Sequence, residues 1–145
     1  LMASTHVAHD CMVEDNVIMS NLATLGGHVK IGKWAILGGG VLVHQFTRIG
    51  EHSLIGGGFR AVQDVPPFIV AANHPLTYKG VNLVGLKRRG FSKLERNLIK
   101  DAYKIFFRSG LNRNDAIKKI ELDIPKSKVI QTILEFINNS SRGII

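Results

Sequence analysis

The sequence has a single cysteine, no long apolar run and no secretory signal, and each absence excludes a class of protein. Because Cys11 stands alone, no disulfide can form within the chain, and we expect a reducing compartment, the cytoplasm. No stretch approaches the roughly 20 apolar residues of a transmembrane helix. Residues 1–6 do not have the pattern of a secretory signal.

Acidic residues are also scarce, and the imbalance lies in one half of the chain. Residues 1–78 hold four Lys/Arg against five Asp/Glu, whereas residues 79–145 hold 15 against six. A basic half predicts an acidic partner, which is nucleic acid, a nucleotide phosphate or an acidic protein. The basic positions are not interleaved with aromatic residues as in single-strand binders, so we do not expect nucleic acid.

A six-residue period organises residues 7–61. Neither an α-helix nor a simple strand has this period, whereas a left-handed parallel β-helix does. Each hexad forms one side of a triangular coil, its apolar residue points inward, and glycine allows tight corners. Cys11 precedes an inward position by two and is interpreted as a small packing residue, since burial raises a thiol pKa. The inward positions are Val7, Val13, Met19, Leu25, Ile31, Leu37, Val43, Ile49, Ile55 and Ala61.

The solenoid should close near Pro66 and Pro67, because proline donates no backbone hydrogen bond. Residues 1–72 are therefore predicted as β-helix coils. The chain opens in mid-repeat, without the atypical capping segment with which a solenoid begins, so we expect further coils upstream. Residues 73–91 are predicted as a loop that ends in a basic cluster between Gly85 and Gly90.

Residues 92–145 change to a helical period and predict a small α-helical domain. Ser92 and Glu95 have capping-box spacing and begin a helix that ends near residue 109. A second helix is predicted to begin with Asn114 as its cap and to end near Glu121. A third is predicted from Ser127 to about residue 139.

The histidines are spaced close to the 18 residues of one coil. His9 lies 19 residues before His28 and 35 before His44, so the three should lie near one corner on successive coils, about 4.8 Å apart. His6 should lie on the adjoining side, whereas His52 does not fit the spacing. Such a column is more typical of a functional site than of packing.

Two kinds of chemistry suit this column. Imidazole is a common metal ligand, but coil-related histidines leave little room for a tetrahedral centre, and no metal is expected. For acid–base catalysis, Asp10 directly follows His9 and could orient its ring and support the imidazolium. The Gly26-Gly27-His28 run places a bare amide beside the column, where it could stabilise an oxyanion.

These residues resemble the hexapeptide-repeat acyltransferases, and within them the UDP-N-acetylglucosamine O-acyltransferases of lipid A synthesis. The resemblance covers essentially the whole chain, and its combination of motifs is specific. The matching segments are HVAHDC (6–11), GHV (27–29), VHQF (43–46), QDVPP (63–67), GVN (80–82), GLKRRGF (85–91) and SRG (141–143).

The resemblance implies transfer of an (R)-3-hydroxyacyl chain from acyl carrier protein to the 3-hydroxyl of UDP-N-acetylglucosamine, without a cofactor. It implies that His9 is the general base, that Asp10 orients it and that the Gly27 amide is the oxyanion donor. Gly57 falls where the family gauges acyl length. Homotrimers, with the active cleft between neighbouring β-helices, are also implied. The implied substrate-binding residues are His6, His28, His44, Gln45, Asn82, Arg88 and Arg89.

Other functions remain open from the residues themselves. A sibling N-acyltransferase or an acetyl-CoA-dependent transferase acting on a sugar nucleotide would share the hexads. A non-catalytic β-helix binding module would share the basic half, and a metal-dependent hydratase would share the histidine column.

Overall fold

The computed structural model describes residues 1–145, and its first half is a parallel β-helix, as the six-residue period predicts. One coil takes 18 residues, because His6 pairs with Thr24 and Thr24 with Leu42. The strands are His6–Val7 (β1), Met12–Val13 (β2), Ile18–Met19 (β3), Thr24–Leu25 (β4), Lys30–Ile31 (β5), Ile36–Leu37 (β6), Leu42–Val43 (β7), Arg48–Ile49 (β8), Leu54–Ile55 (β9), Arg60–Ala61 (β10), Ile69–Ala72 (β11) and Thr77–Val81 (β12).

The strands form the three sides of the prism. Sheet 1 has the order β1-β4-β7-β10, sheet 2 β2-β5-β8, and sheet 3 β12-β11-β9-β6-β3. From β3 to β10, the second residue of each two-residue strand is buried and the first faces outward, so the predicted inward positions are confirmed there. Val7 and Val13 are instead 38% and 37% exposed. No backbone lies on the outer side of β1 and β2, whereas the Met2 N–H donates to the Met19 carbonyl at 2.9 Å and the chain there covers β3.

The corners are made differently from the prediction. Every sixth residue from Ser4 to Gly58 has a positive φ, yet only Gly40 and Gly58 among these ten are glycine. Aspartate, asparagine and histidine, which enter the left-handed region more readily than most residues, hold four of the other positions. The glycines that follow the inward residues instead allow the backbones of neighbouring coils to approach each other closely. A Cβ on Gly26 would lie only 2.7 Å from the Gln45 nitrogen of the next coil.

Residues 73–91, predicted as a loop, contain regular structure. β11 continues sheet 3 by pairing with β9, and β12 turns back antiparallel to β11. The helix Leu83–Arg88 (α1) follows, capped by Asn82 and with Leu86 fully buried. The loop prediction was wrong because a six-residue helix that contains Gly85 has little intrinsic stability, so tertiary contacts decide it.

Three longer helices complete the chain: Lys93–Arg108 (α2), Arg113–Asp123 (α3) and Lys128–Asn138 (α4). The capping box of Ser92 and Glu95 is confirmed, and Ser127 caps α4 as predicted. The cap of α3 is Asn112 rather than Asn114. The Asn112 side chain accepts from the Asp115 amide at 2.9 Å, which places the helix start two residues earlier. None of the four helices combines the length and the apolar composition that a membrane-spanning helix needs.

The helices and the coils share one core. The Tyr103 hydroxyl of α2 donates to the Pro67 carbonyl at 2.6 Å, and burial raises the pKa of this phenol well above its usual value. Asp64, at the end of the solenoid, is buried and accepts from the Arg48 amide at 2.8 Å and from the Ser140 hydroxyl at 2.6 Å. The C-terminal segment is therefore held against the last coil.

Candidate active site

The turns between the sheets stack into three edges of the prism, which hold the predicted site residues. We call them the His9 edge (turns at 8–11, 26–29 and 44–47, between sheets 1 and 2), the His52 edge (14–17, 32–35 and 50–53, between sheets 2 and 3) and the Gly57 edge (20–23, 38–41 and 56–59).

On the His9 edge, His9 and Asp10 form the pair that the sequence predicts. The His9 Nδ1 lies 3.0 Å from an Asp10 carboxylate oxygen, and the His28 Nε2 lies 3.7 Å from the same oxygen. The hydrogen bond from His9 and the charge of His28 lower the pKa of Asp10 below its usual value. Asp10 is therefore ionised at neutral pH and holds His9 with Nδ1 protonated, which leaves Nε2 as the basic atom.

The rings stack in a column that differs from the predicted one. The His28 ring lies 5.1 Å from that of His9, edge to face, and 4.6 Å from that of Phe46, nearly parallel at 5°. Phe46 takes the place expected for His44. Residues 18 positions apart lie above one another in successive coils, and the residue 18 positions after His28 is Phe46. His44 lies on the same edge, two positions before Phe46 in the same turn.

Gly27 lies directly against the His9 ring. A Cβ built on it would be 2.7 Å from His9 Cε1 and 2.8 Å from Nε2, so only glycine leaves this ring in place. The Gly27 N–H has no acceptor in the protein. The arrangement places a residue with an unpaired backbone amide against an oriented imidazole.

Other predicted residues of this edge are exposed. His6 lies on the outer face of sheet 1 in register with Thr24, and His44 and Gln45 are exposed in the third turn. The His44 Nδ1 lies 3.2 Å from the Arg142 Nη2, and the Arg142 Nε donates to the Val62 carbonyl at 3.1 Å. The C-terminal segment thereby brings a guanidinium to the edge that holds His9.

Three atoms of the His9 edge also fit a metal ion. His9, Asp10 and His28 each offer one ligand atom, and these atoms lie within 4.8 Å of one another. A pair of imidazoles and a carboxylate is a ligand set that Zn²⁺ accepts.

Asn82 and Arg89 lie on a different edge. Asn82 is buried and donates to the His52 carbonyl at 3.0 Å, and the Arg89 Nη1 lies 3.3 Å from the His52 Nδ1. The Arg89 guanidinium also lies 5.2 Å from the Trp34 ring centre, whereas Arg88 is exposed at the end of α1. Burial, more than the repulsion from Arg88, lowers the pKa of Arg89.

Gly57 lies on the third edge and is exposed. A Cβ there would lie 3.2 Å from the Gly39 carbonyl oxygen of the preceding coil. Any side chain at this position would therefore crowd this edge.

Comparison with known proteins adds two kinds of match. Residues 64–145 fit the family described as Udp N-acetylglucosamine O-acyltransferase, Domain 2. This chain belongs to that family. It is 44% identical over 149 residues to the acyl-[acyl-carrier-protein]–UDP-N-acetylglucosamine O-acyltransferase of Burkholderia lata, covering 100% of this chain and 57% of the relative. It is 46% identical over 145 residues to that of Aliivibrio fischeri, covering 100% and 55%.

Solved structures agree with this assignment. A UDP-N-acetylglucosamine acyltransferase from Bacteroides fragilis superposes with a TM-score of 0.99 at 44% identity, over 100% of this chain and 57% of that one. A perosamine N-acetyltransferase from Caulobacter crescentus superposes with a TM-score of 0.50 at 30% identity, over 52% of this chain and 36% of that one. The chain thus spans somewhat more than half the length of its O-acyltransferase relatives.

In this member of the O-acyltransferase family, the structure brings together His9, Asp10, Gly27 and His28. It leaves Asn82, Arg88 and Arg89 on the His52 edge, and Gly57 on the third. Three residues at these edges were missed: Phe46, His52 and Arg142. A strict 18-residue register starting from Asp10 would have found Phe46, whereas Arg142 is 98 residues from His44 and no local pattern joins them.

Proposed function

We propose that this protein transfers an (R)-3-hydroxyacyl chain from acyl carrier protein to the 3-hydroxyl of UDP-N-acetylglucosamine, the first step of lipid A synthesis, in the cytoplasm. The observation that carries the proposal is the contact between the His9 ring and Gly27, with Asp10 bonded to the far nitrogen of that ring. Family membership supports the substrates, since relatives are named for acyl carrier protein and this sugar nucleotide.

The chemistry follows from the protonation of His9. Its Nε2 accepts the proton of the 3-hydroxyl as the sugar oxygen bonds to the thioester carbon, and Asp10 stabilises the imidazolium that forms. The negative charge on the former carbonyl oxygen is stabilised by the Gly27 N–H. Collapse of the tetrahedral adduct breaks the C–S bond, and the Nε2 proton passes to the departing thiolate, which regenerates neutral His9.

We further propose that the site is assembled between subunits of a homotrimer. The phosphate-binding candidates Asn82, Arg88 and Arg89 lie on the His52 edge, whereas the catalytic pair lies on the His9 edge of the same chain. Cyclic packing of three prisms would set the His52 edge of one subunit opposite the His9 edge of the next. His6, His28, His44 and Gln45 would then line the sugar side of the cleft, and guanidinium groups would bind the diphosphate.

The basic half supports acyl carrier protein as the partner. Residues 79–145 carry 15 basic against six acidic side chains, and a positive surface accelerates docking of an acidic protein. The proposed reaction uses no cofactor, because the thioester itself is the activated donor.

Two experiments test these proposals. Turnover of hydroxyacyl-acyl carrier protein with UDP-N-acetylglucosamine should fall roughly 10²–10⁴-fold in His9→Ala, as expected for loss of a general base. Near-normal turnover would exclude that role, and preference for acetyl-CoA or for an amino-sugar acceptor would favour a sibling enzyme.

Mixing subunits tests the shared site. Trimers are assembled from equal amounts of His9→Ala and Arg89→Ala chains. A site is intact only when its His9 comes from an Arg89→Ala chain and its Arg89 comes from a His9→Ala chain, so about a quarter of the sites should be active. No recovery would place both residues in one chain's site.

The ligand geometry of His9, Asp10 and His28 favours one alternative, a metal-dependent reaction. Incubation with a chelator separates the two. Unchanged transfer is expected for acid–base chemistry, whereas loss of activity that Zn²⁺ restores would assign the metal-dependent mechanism instead.

A further inference from the structure

His52 is a buried histidine that the proposed reaction does not use. It is 5% exposed and occupies a left-handed corner position with a φ of 56°. Its ring lies 4.9 Å from that of Phe91, edge to face, and 5.9 Å from that of Phe68. Trp34 of the preceding coil lies on the same column, 6.4 Å away and nearly parallel at 13°.

The ring of His52 is held neutral and accepts a hydrogen bond. A guanidinium only donates, so the 3.3 Å contact from the Arg89 Nη1 requires an unprotonated Nδ1 on His52. Burial, followed by the charges of Arg89 and Lys33, lowers the pKa of His52 to about 4. At neutral pH, therefore, His52 is a fixed acceptor for Arg89.

The same residue holds both ends of α1. Its carbonyl accepts from the Asn82 side-chain amide at 3.0 Å, and Asn82 caps the first turn by accepting from the Gly85 amide at 3.3 Å. Its ring contacts Arg89, the residue that caps the other end of α1. A helix of six residues has little stability of its own, so these contacts determine where Asn82 and Arg89 lie.

We propose that His52 is a positioning residue for recognition of the nucleotide diphosphate. It anchors α1 and fixes one Nη of Arg89, while Trp34 lies 5.2 Å from the guanidinium carbon. The remaining guanidinium donors are then oriented for phosphate oxygens without the loss of side-chain entropy that ordering a free arginine would require. This inference rests on the proposed use of UDP-N-acetylglucosamine and adds His52 to its binding site.

Two substitutions separate positioning from packing. His52→Phe keeps an aromatic ring in the stack but removes the acceptor, whereas the side-chain oxygen of His52→Gln can accept from Arg89. We expect His52→Phe to raise the KM for the sugar nucleotide and the Kd for UDP about tenfold, as loss of a hydrogen bond to a charged group would. Its kcat and its KM for acyl carrier protein should stay within about twofold, and His52→Gln should restore most of the affinity.

A double-mutant cycle and a stability measurement complete the test. Arg89→Ala and the double variant His52→Phe/Arg89→Ala should bind UDP equally weakly, because His52 acts through Arg89. Wild-type UDP affinity in His52→Phe would overturn the proposal. Equal losses of kcat, affinity and Tm in the Phe and Gln variants would also overturn it, because they would indicate a purely structural role. Failure of the unmodified protein to bind UDP or transfer an acyl group would instead refute the proposed function.

Discussion

Replacing Gly27 by alanine should impair catalysis while leaving the fold nearly unchanged. The new methyl group would lie 2.7 Å from His9 Cε1, whereas ordinary carbon–carbon contact needs about 3.5 Å or more. The His9 side chain is 73% exposed and is free to swing aside. The clash is therefore relieved by moving the His9 ring by roughly 1 Å, and a displacement of that size at the proposed general base costs up to about 10²-fold in rate.

The assay is kcat for acyl transfer, paired with thermal unfolding. We expect kcat to fall roughly 10–100-fold in Gly27→Ala, with a change in the free energy of unfolding below about 1 kcal/mol. Gly39 offers a matched control, because it holds the same repeat position two hexads later and its added Cβ would only reach 3.5 Å from the Asn21 carbonyl oxygen. Gly39→Ala should retain wild-type kcat. Full activity in Gly27→Ala would refute the role of this contact.

Three further outcomes are expected. Asp64→Ala should lower the free energy of unfolding by about 1–3 kcal/mol, because it removes the buried acceptor of the Arg48 amide and the Ser140 hydroxyl, and chemical denaturation checks this. Burial, followed by the charges of Arg89 and Lys33, lowers the pKa of His52 to about 4 in the folded protein, whereas His52 of the unfolded chain takes up a proton near pH 6.5. The free energy of unfolding should therefore fall as the pH drops from about 6.5 to about 4. His52→Gln should lose less Tm over that window, and an equal loss would assign it to other groups. Gly57→Met should shift donor preference to shorter acyl chains, as competition between acyl carrier protein thioesters of different length would reveal, with unchanged preference arguing against a gauge at this edge.

The six-residue repeat could be predicted from the sequence because each hexad meets the same local requirement. Each inward residue must be apolar to fill the prism, and this requirement recurs every six residues, so Leu25, Ile31 and Leu37 reveal the coil. The pairing of His9 with Asp10 was readable for the same reason, since neighbours in one turn stay neighbours in the fold. The caps Ser92 and Ser127 also act within four residues of themselves.

The errors come from features with more than one local solution. Asn112 and Asn114 both suit a helix cap, and the structure uses Asn112, whose side chain also donates to the Asp115 carboxylate at 3.1 Å. The column error had another origin: spacings of 19 and 35 place residues on one edge but not in one stack, because only multiples of 18 superpose.

The six-residue period, the change to a helical half and the His9–Asp10 pair follow from the amino-acid sequence, because each depends on residues within one hexad or one helical turn. The place of Gly27 beside the His9 ring follows from the 18-residue coil that three hexads form. Tertiary structure alone decided that Arg89 lies on His52, that Arg142 reaches His44, and that the predicted binding residues divide among three edges. These contacts join residues 37 and 98 positions apart, and only the folded path of the chain sets which distant side chains meet.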